Sequence, residues 1–233
     1  MSRVVILQSN YLPWKGYFDL IGNTDVFVFY DTVQFTKNDW RNRNQIYAKG
    51  GAHWLTIPVP KDSVKLNIDQ VRPTDQSWRK KHLTSITQTY SRAPYFDQLR
   101  PLLRDLYEGP PMERLVDINR LAIRAISAMA GFETRFVVSS DLELVGDRTA
   151  RLLHILEQLG ATEYLSGPSA RAYLEGSEKD FEAKGIKLSF KRYEGYPTYP
   201  QRGKEFRHDV SIIDVLAHVP LESLQDYILT ALS

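Results

Sequence analysis

The run Gln34-Phe35-Thr36-Lys37-Asn38-Asp39-Trp40-Arg41-Asn42-Arg43-Asn44-Gln45 carries the residues best suited to hold a polar ligand. Lys37, Arg41 and Arg43 are cations, and an arginine can grip a phosphate or carboxylate through two parallel hydrogen bonds. The amides of Gln34, Asn38, Asn42, Asn44 and Gln45 offer donors and acceptors together. Phe35 and Trp40 are the only large apolar side chains, so the run reads as a surface loop that builds no core. It follows the apolar stretch Asp25–Tyr30, and loops at strand ends are where α/β proteins place ligand chemistry. The plain alternative is a solvated ribbon anchored by a buried Trp40. Such a ribbon would mix in more Glu, Ser and Gly.

Three other segments invite chemistry. Gln8-Ser9-Asn10-Tyr11-Leu12-Pro13-Trp14-Lys15-Gly16-Tyr17 leaves an apolar strand and enters a helix. Free N–H groups and the helix dipole suit that place to phosphate or carboxylate. Gln8, Asn10 and Tyr11 would orient polar substrate groups, Lys15 adds a cation, and Trp14 or Tyr17 would stack on a base or sugar. The bland reading is a tight turn stiffened by Pro13. Ser166-Gly167-Pro168-Ser169-Ala170-Arg171 repeats the strand, loop and helix pattern of an anion nest, although a lone SGPS also fits a plain turn. Gln201, His208 and Asp214 cluster near the end. Asp31, closing the second strand, and His208 are the candidate bases. A lone histidine beside a helix start is more often a capping or packing residue.

The elements that must position these residues alternate. Val4–Leu7 and Asp25–Tyr30 read as strands flanking a helix from Gly16 to Ile21, which is a βαβ unit. Their continuous apolar character favours a parallel sheet covered on both faces. His53–Val59 reads as a third strand and Asn67–Val71 as a further short one. Ser77–Tyr90 is expected as a helix capped by its serine. Asp97–Tyr107 and Met112–Ala130 follow as helices, the latter closed by Gly131. Arg135–Val138 and Glu163–Leu165 read as strands around a helix Arg148–Leu159 that Asp147 caps. A helix begins at Ala170, Ile186–Phe190 is a strand, and Ser211–Ala217 and Leu221–Leu232 are helices. The reading is a single α/β domain over residues 1–233. It is Rossmann-like, with a mostly parallel sheet, helices on both faces and a helical insert at about 77–131.

Composition narrows the function classes. The chain has 233 residues, 42% apolar and 25% charged, which is ordinary for a globular domain. It has no cysteine, so disulfides, thiolate metal sites and cysteine nucleophiles are excluded. The five histidines form no H-x-H or H-x-x-x-H pair, so no metal is expected. No Walker A, G-x-S-x-G or G-x-G-x-x-G motif occurs. A formal charge of +2 argues against DNA binding. There is no apolar run of membrane-spanning length and no leader pattern at the N-terminus, so a cytoplasmic protein is expected.

The stretches ILQSNYLPWKGYFDLIGNTDVFVFYDTVQFTKNDWRNRNQI, HWLTIPV and WRKKHLTSITQTYSRAPYF, then LVDINRLAIRAI, LGATEYLSGPSARAYL and YPQRGKEFRHDVSIIDVLAH resemble the WbqC-like family in order along nearly the whole chain. One departure is Ser9, where the family usually has proline. Serine is expected to loosen the strand exit. The resemblance implies a role in bacterial surface-polysaccharide (O-antigen) biosynthesis. It also implies a transferase or ligase acting on a nucleotide-linked amino sugar, with transfer of an amino-acyl group such as glycine to the sugar amine. ATP or a charged tRNA is the acyl donor that such a reaction would draw on. A weaker resemblance, in PWKGY and LSGPSARAYL, is to HIGH-superfamily nucleotidyltransferases. The histidines of their first motif are missing, with Trp14 and Tyr17 in that region, so the topology could match while the adenylyl chemistry is lost. The remaining alternative is a sugar-nucleotide binding protein without chemistry.

Overall fold

Strands that are apolar at successive residues need cover on both faces, and the helices between them supply it. The computed structural model describes residues 2–231. Strand β1 (Arg3–Leu7) leads into helix α1 (Lys15–Gly22) and then β2 (Val26–Phe29). A hairpin of β3 (Arg43–Ala48) and β4 (Gly51–Thr56) follows. The helical segment holds α2 (Ser77–Tyr90), α3 (Arg100–Tyr107) and α4 (Leu115–Met129). The chain returns to the sheet through β5 (Arg135–Val138), α5 (Arg148–Gln158) and β6 (Glu163–Ser166). It closes with α6 (Arg171–Leu174), α7 (Glu178–Ala183), β7 (Lys187–Phe190), α8 (Ile212–His218) and α9 (Leu224–Ile228).

The main sheet runs β5-β2-β1-β6-β7 with every pair parallel. The chain is therefore an α/β protein of Rossmann-like topology, as expected. Val4, Ile6, Val26 and Val28 pack with Leu152, Ile155 and Leu156 of α5 and Phe181 of α7 on one face. Val5, Phe27 and Phe29 join the opposite cluster with Phe18 and Ile21 of α1 and Ile123 and Ile126 of α4. Trp78, Ile86 and Leu103 of the helical segment belong to that same cluster. Strands are laid outward from β1 to β2 and β5. The chain then crosses back to place β6 on the other side of β1, and in open parallel sheets that reversal opens a crevice at the carboxyl ends of the strands.

Several elements differ from the sequence reading. The segment expected as a third strand, His53–Val59, does not join the main sheet. Gly51–Thr56 instead pairs antiparallel with Arg43–Ala48. The end of the polar run is thus strand, because a hairpin partner satisfies its backbone while Asn44, Ile46 and Leu55 turn inward and are buried. The segment Asn67–Val71 holds a single 3-10 turn, Ile68–Gln70, closed by a reciprocal cap between Asn67 and Gln70. At the start of α2 the side chain accepting a backbone N–H is that of Asp75, bonded to Ser77 N at 2.7 Å, not the expected serine cap. The helix expected from Ala170 is a 3-10 turn followed by the four residues of α6. The final helix is shorter than expected, and Leu232 lies outside the described residues.

Helix α4 locks the strand exits together. Asp31, wholly buried just past β2, accepts two hydrogen bonds from Arg120 of α4 on Oδ2, at 2.9 and 2.7 Å. Its Oδ1 accepts the Ser9 N–H at 2.8 Å. Next to it, Asn119 Nδ2 donates to the Arg41 carbonyl at 2.8 Å and lies within 3.4 Å of the Ser9 carbonyl. Serine at position 9 therefore does not loosen the exit. It supplies the N–H that a proline would lack. Breaking a buried ion pair from one side strands a charge, at a cost of about 3–5 kcal/mol. Arg120→Ala is expected to lower the melting temperature by roughly 6–20 °C at this chain size. In thermal melts, Asp31→Asn combined with Arg120→Met should lose clearly less than the sum of the single changes.

Candidate functional site

The loop after β1 is shaped by what holds it. Leu12 is a buried non-glycine residue at φ 42°, in the left-handed region that disfavours side chains. Its carbonyl is pinned from two sides, by Asn44 Nδ2 at 2.8 Å and Ser211 Oγ at 2.9 Å. The Ile212 N–H holds the Pro13 carbonyl at 2.9 Å. The Trp14 ring then folds back over the start of α1. A Cβ on Gly16 would stand 2.2 Å from that ring, so only glycine fits there. The outer edge of Trp14 meets Tyr193 edge to face, with centroids 4.8 Å apart.

Between this loop and the loop after β6, at the reversal of strand order, lies a cavity of about 680 Å³. Gln8, Asn10, Trp14 and Tyr17 line it from the β1 side. Ser166, Gly167, Pro168, Ser169 and Ala170 line it from the β6 side. Asp39, Trp40 and Arg41 enter from the polar run, and Tyr30, Arg148, Tyr164, Tyr173 and Tyr193 complete the wall. Arg41 is held flat across the β1 exit, with Nη1 on Asn10 Oδ1 at 2.5 Å and Nη2 on Gln8 Oε1 at 3.2 Å. Its buried Nε has no hydrogen-bond partner among the described residues. Arg148 lies over the Tyr173 ring, 3.7 Å from the centroid. Two guanidinium groups from distant segments thus face a space whose wall mixes aromatic rings with the aliphatic side chains Ile6, Leu7, Leu20 and Leu152. Among the described residues Asp39 is the carboxylate that lines it, and it accepts from Thr36 Oγ1 and from the Trp40 N–H at 2.7 Å.

The polar run is divided by the fold. Only Asp39, Trp40 and Arg41 reach the cavity. Lys37, Asn38 and Asn42 line a separate hollow with Ile57, Pro58 and Val64. Arg43 stacks on Trp54 at 4.3 Å and donates to the Asn38 carbonyl at 2.5 Å. Asn42 and Asn44 are buried staples, Asn42 Nδ2 holding the Ile57 carbonyl at 2.8 Å. Gln34 is tied to the Val64 carbonyl. Trp40 is 44% exposed and anchors nothing beneath it. Among the other expected residues, Arg171 packs on Phe190 outside the cavity. Gln201 bonds Asp214, the Arg207 backbone and the Tyr199 hydroxyl. Sequence reasoning passed over Tyr30, Asp39, Arg148, Tyr164, Tyr173 and Tyr193. For Tyr30 the signal was available, because it sits at the carboxyl end of β2. Arg148 and Tyr173 come from opposite sides of β6 in the chain, and nothing in their spacing joins them.

The candidate bases lie away from the cavity. The carboxylate of Asp31 is occupied by Arg120 and Ser9. His208 packs on Phe206, at 4.6 Å between centroids, and its burial and the nearby Lys15 charge lower its pKa. Lys15 is buried under the Tyr196, Tyr199 and Phe206 rings, and burial lowers its pKa to about 8 against the opposing pull of Asp214 and Asp19. Tyr11 is fully buried, its hydroxyl bonded to His82 Nδ1 at 2.9 Å and to the Tyr107 hydroxyl. Among the described residues no three His, Cys, Asp or Glu side chains gather to hold a metal ion. Nor is any helix there long and apolar enough to cross a membrane.

A family model described as "WbqC-like protein family" matches residues 8–226. The chain is 39% identical over 229 residues to an uncharacterised protein of Mycobacterium tuberculosis, covering 98% of each chain. No solved structure matches it.

The burial of His82 makes stability depend on pH. Burial, aided by the Lys81 charge and opposed by the Thr56 backbone, lowers the His82 pKa to about 4 from an ordinary value of 6.5. The unfolded chain therefore binds this proton first as pH falls. The stability that neutral His82 contributes is complete above about pH 6.5 and is lost on the way down to about pH 4, a change on the order of 3 kcal/mol. Urea unfolding at pH 7 and pH 4 should give His82→Phe a smaller acid loss than the parent by about that amount. Equal acid losses would refute the assignment.

Proposed function

The chain belongs to the WbqC-like protein family, and on that premise we propose that the cavity between β1 and β6 binds a nucleotide-linked amino sugar and that the protein transfers an acyl group to its amine. The observation that carries this reading is the pair Arg41 and Arg148 among aromatic and aliphatic walls at the reversal of strand order. The two guanidinium groups suit the diphosphate, which wants charge-assisted, forked donors. Trp14, Trp40, Tyr173 and Tyr193 suit the base and sugar rings, whose faces stack on aromatic side chains. Gln8 and Asn10, already engaged with Arg41, fix the reach of that arginine into the cavity. Amine acylation needs a proton acceptor within about 3 Å of the nitrogen. Asp39 is the carboxylate placed to serve, whereas Asp31 and His208 stand outside the cavity. The amino-acyl group and its activated donor, ATP-derived or carried on tRNA, come from the family resemblance. So does the setting in surface-polysaccharide synthesis.

A second reading, binding without chemistry, is favoured by one observation. Both oxygens of Asp39 are already engaged, by Thr36 and the Trp40 N–H, with Arg41 3.6 Å away. Mass spectrometry after incubation with a UDP-linked amino sugar, glycine and ATP separates the two. A product heavier by one glycyl group supports transfer. Unchanged sugar nucleotide, despite saturable binding, supports the second reading.

The binding half is tested directly. A ligand at a hundred times its dissociation constant stabilises by about 2.7 kcal/mol. At this size that is roughly 5–11 °C in a thermal melt. UDP-linked amino sugars are expected to give such a shift. Arg41→Ala and Arg148→Ala should each weaken binding by roughly 10–100-fold, the worth of a charge-assisted hydrogen bond. Lys37→Ala, Arg43→Ala and Arg171→Ala should change it little. A ranking in which Lys37 or Arg43 mattered more than Arg41 and Arg148 would move the diphosphate elsewhere.

A further inference from the structure

A second, smaller hollow adjoins the cavity, with a volume of about 180 Å³ and a wall formed by Asn10, Pro13, Trp14, Trp40, Asn44 and Asp209. That is the share of roughly six water molecules at about 30 Å³ each. Asn10, Trp14 and Trp40 also line the larger cavity, so these three side chains are a wall common to both spaces. The two spaces differ in charge. The larger holds Arg41 and Arg148. Among the described residues the smaller is lined by neither lysine nor arginine; Asp209 is the charged side chain in its wall, and Arg207 pairs with it from outside that wall.

We propose that the smaller hollow is a second binding site, for a small organic ammonium compound, opening onto the larger cavity. Two indole rings and one carboxylate in one wall suit such a cation. An ammonium group over a tryptophan face is attracted by the ring quadrupole, and a carboxylate beside it adds a charge-assisted contact. The groups are held ready. Trp14 is fixed over Gly16 and against Tyr193. The Trp40 carbonyl takes the Tyr11 N–H at 2.9 Å, and its ring leans on Trp54 with centroids 5.7 Å apart. Asp209 is gripped by Arg207 at 2.9 and 2.6 Å, which sets its orientation and keeps it ionised. The remaining amides do not compete. Asn44 is spent on the Tyr11 and Leu12 carbonyls and the Gln45 N–H, and Asn10 Oδ1 on Arg41. An anion in the larger cavity and an amine in the smaller one would share Trp14 and Trp40 as a common wall, which places two substrates side by side. The site stands whatever fills the larger cavity.

Choline, its uncharged isostere 3,3-dimethylbutanol and methyl glucoside serve as probes for the full-length protein, followed by calorimetry and tryptophan fluorescence. UDP reports separately on the larger cavity. Choline is expected to bind saturably, about tenfold or more tighter than the neutral isostere. Asp209→Asn and Trp40→Leu should each weaken choline several-fold. UDP affinity should be unchanged in Asp209→Asn. Equal binding of choline and the isostere, preference for methyl glucoside, no saturable choline binding, or full choline affinity in both variants would each overturn the proposal. Loss of UDP binding in the parent, with choline still bound, would sink the nucleotide reading and leave this site in place.

Discussion

The buried pair of Asp31 and Arg120 is the constraint on which the site depends. A carboxylate without solvent can persist as an anion only if its oxygens are engaged, and here they accept from Arg120 and the Ser9 N–H. Those bonds tie the paired exits of β1 and β2 to the second turn of α4, which no sheet hydrogen bond reaches. Asn119, one residue earlier on α4, extends the tie to the carbonyl of Arg41. The backbone that presents Gln8, Asn10 and Arg41 to the cavity is therefore set by a helix that does not itself line it. Polar groups at the centre of this protein specify geometry, and apolar packing around them supplies most of the stability.

The same logic governs the wall formed by residues 191–210, which is irregular chain without regular backbone pairing of its own. It is held by side chains. Lys191 and Asp19, both fully buried, pair at 2.9 Å. Tyr196 donates to the same Asp19, and Tyr199 and Gln201 donate to buried Asp214. Each charge in this layer has several partners, which lets a long irregular segment be buried at all. The segment carries Tyr193 into the cavity and lays three aromatic rings over Lys15. The charge of that lysine is thereby kept out of the cavity, where arginines hold the cationic positions.

The division of the polar run follows from backbone geometry. Up to Arg41 the run is loop, and its side chains follow local turns, with Asn38 in the left-handed region at φ 59°. From Arg43 it is strand, and successive side chains take opposite faces. Asn44 turns inward to brace the strained Leu12, while Arg43 turns outward onto Trp54. Polar residues that are neighbours in sequence thus become inward braces or outward surface groups according to which side of one strand they occupy. A loose polar loop would have no such division.

The sequence by itself determined the α/β class, the two strands of the first βαβ unit, the helices around Leu115–Met129 and Arg148–Gln158 with their Asp147 and glycine ends, and the loops after β1 and β6 as the place to look. These are local or periodic properties. Continuous apolar strands demand two covered faces, and caps and glycines act within a turn of where they stand. Only the tertiary structure decided that Arg41, not Lys37 or Arg43, meets the cavity, that Arg148 and Tyr173 join it, and that the Asp31 carboxylate is buried and occupied by Arg120 and Ser9. It also took His53 and its neighbours out of the main sheet. Those outcomes turn on contacts between residues dozens of positions apart, and on burial. Burial decides whether a polar side chain must satisfy the protein or is free to satisfy a ligand.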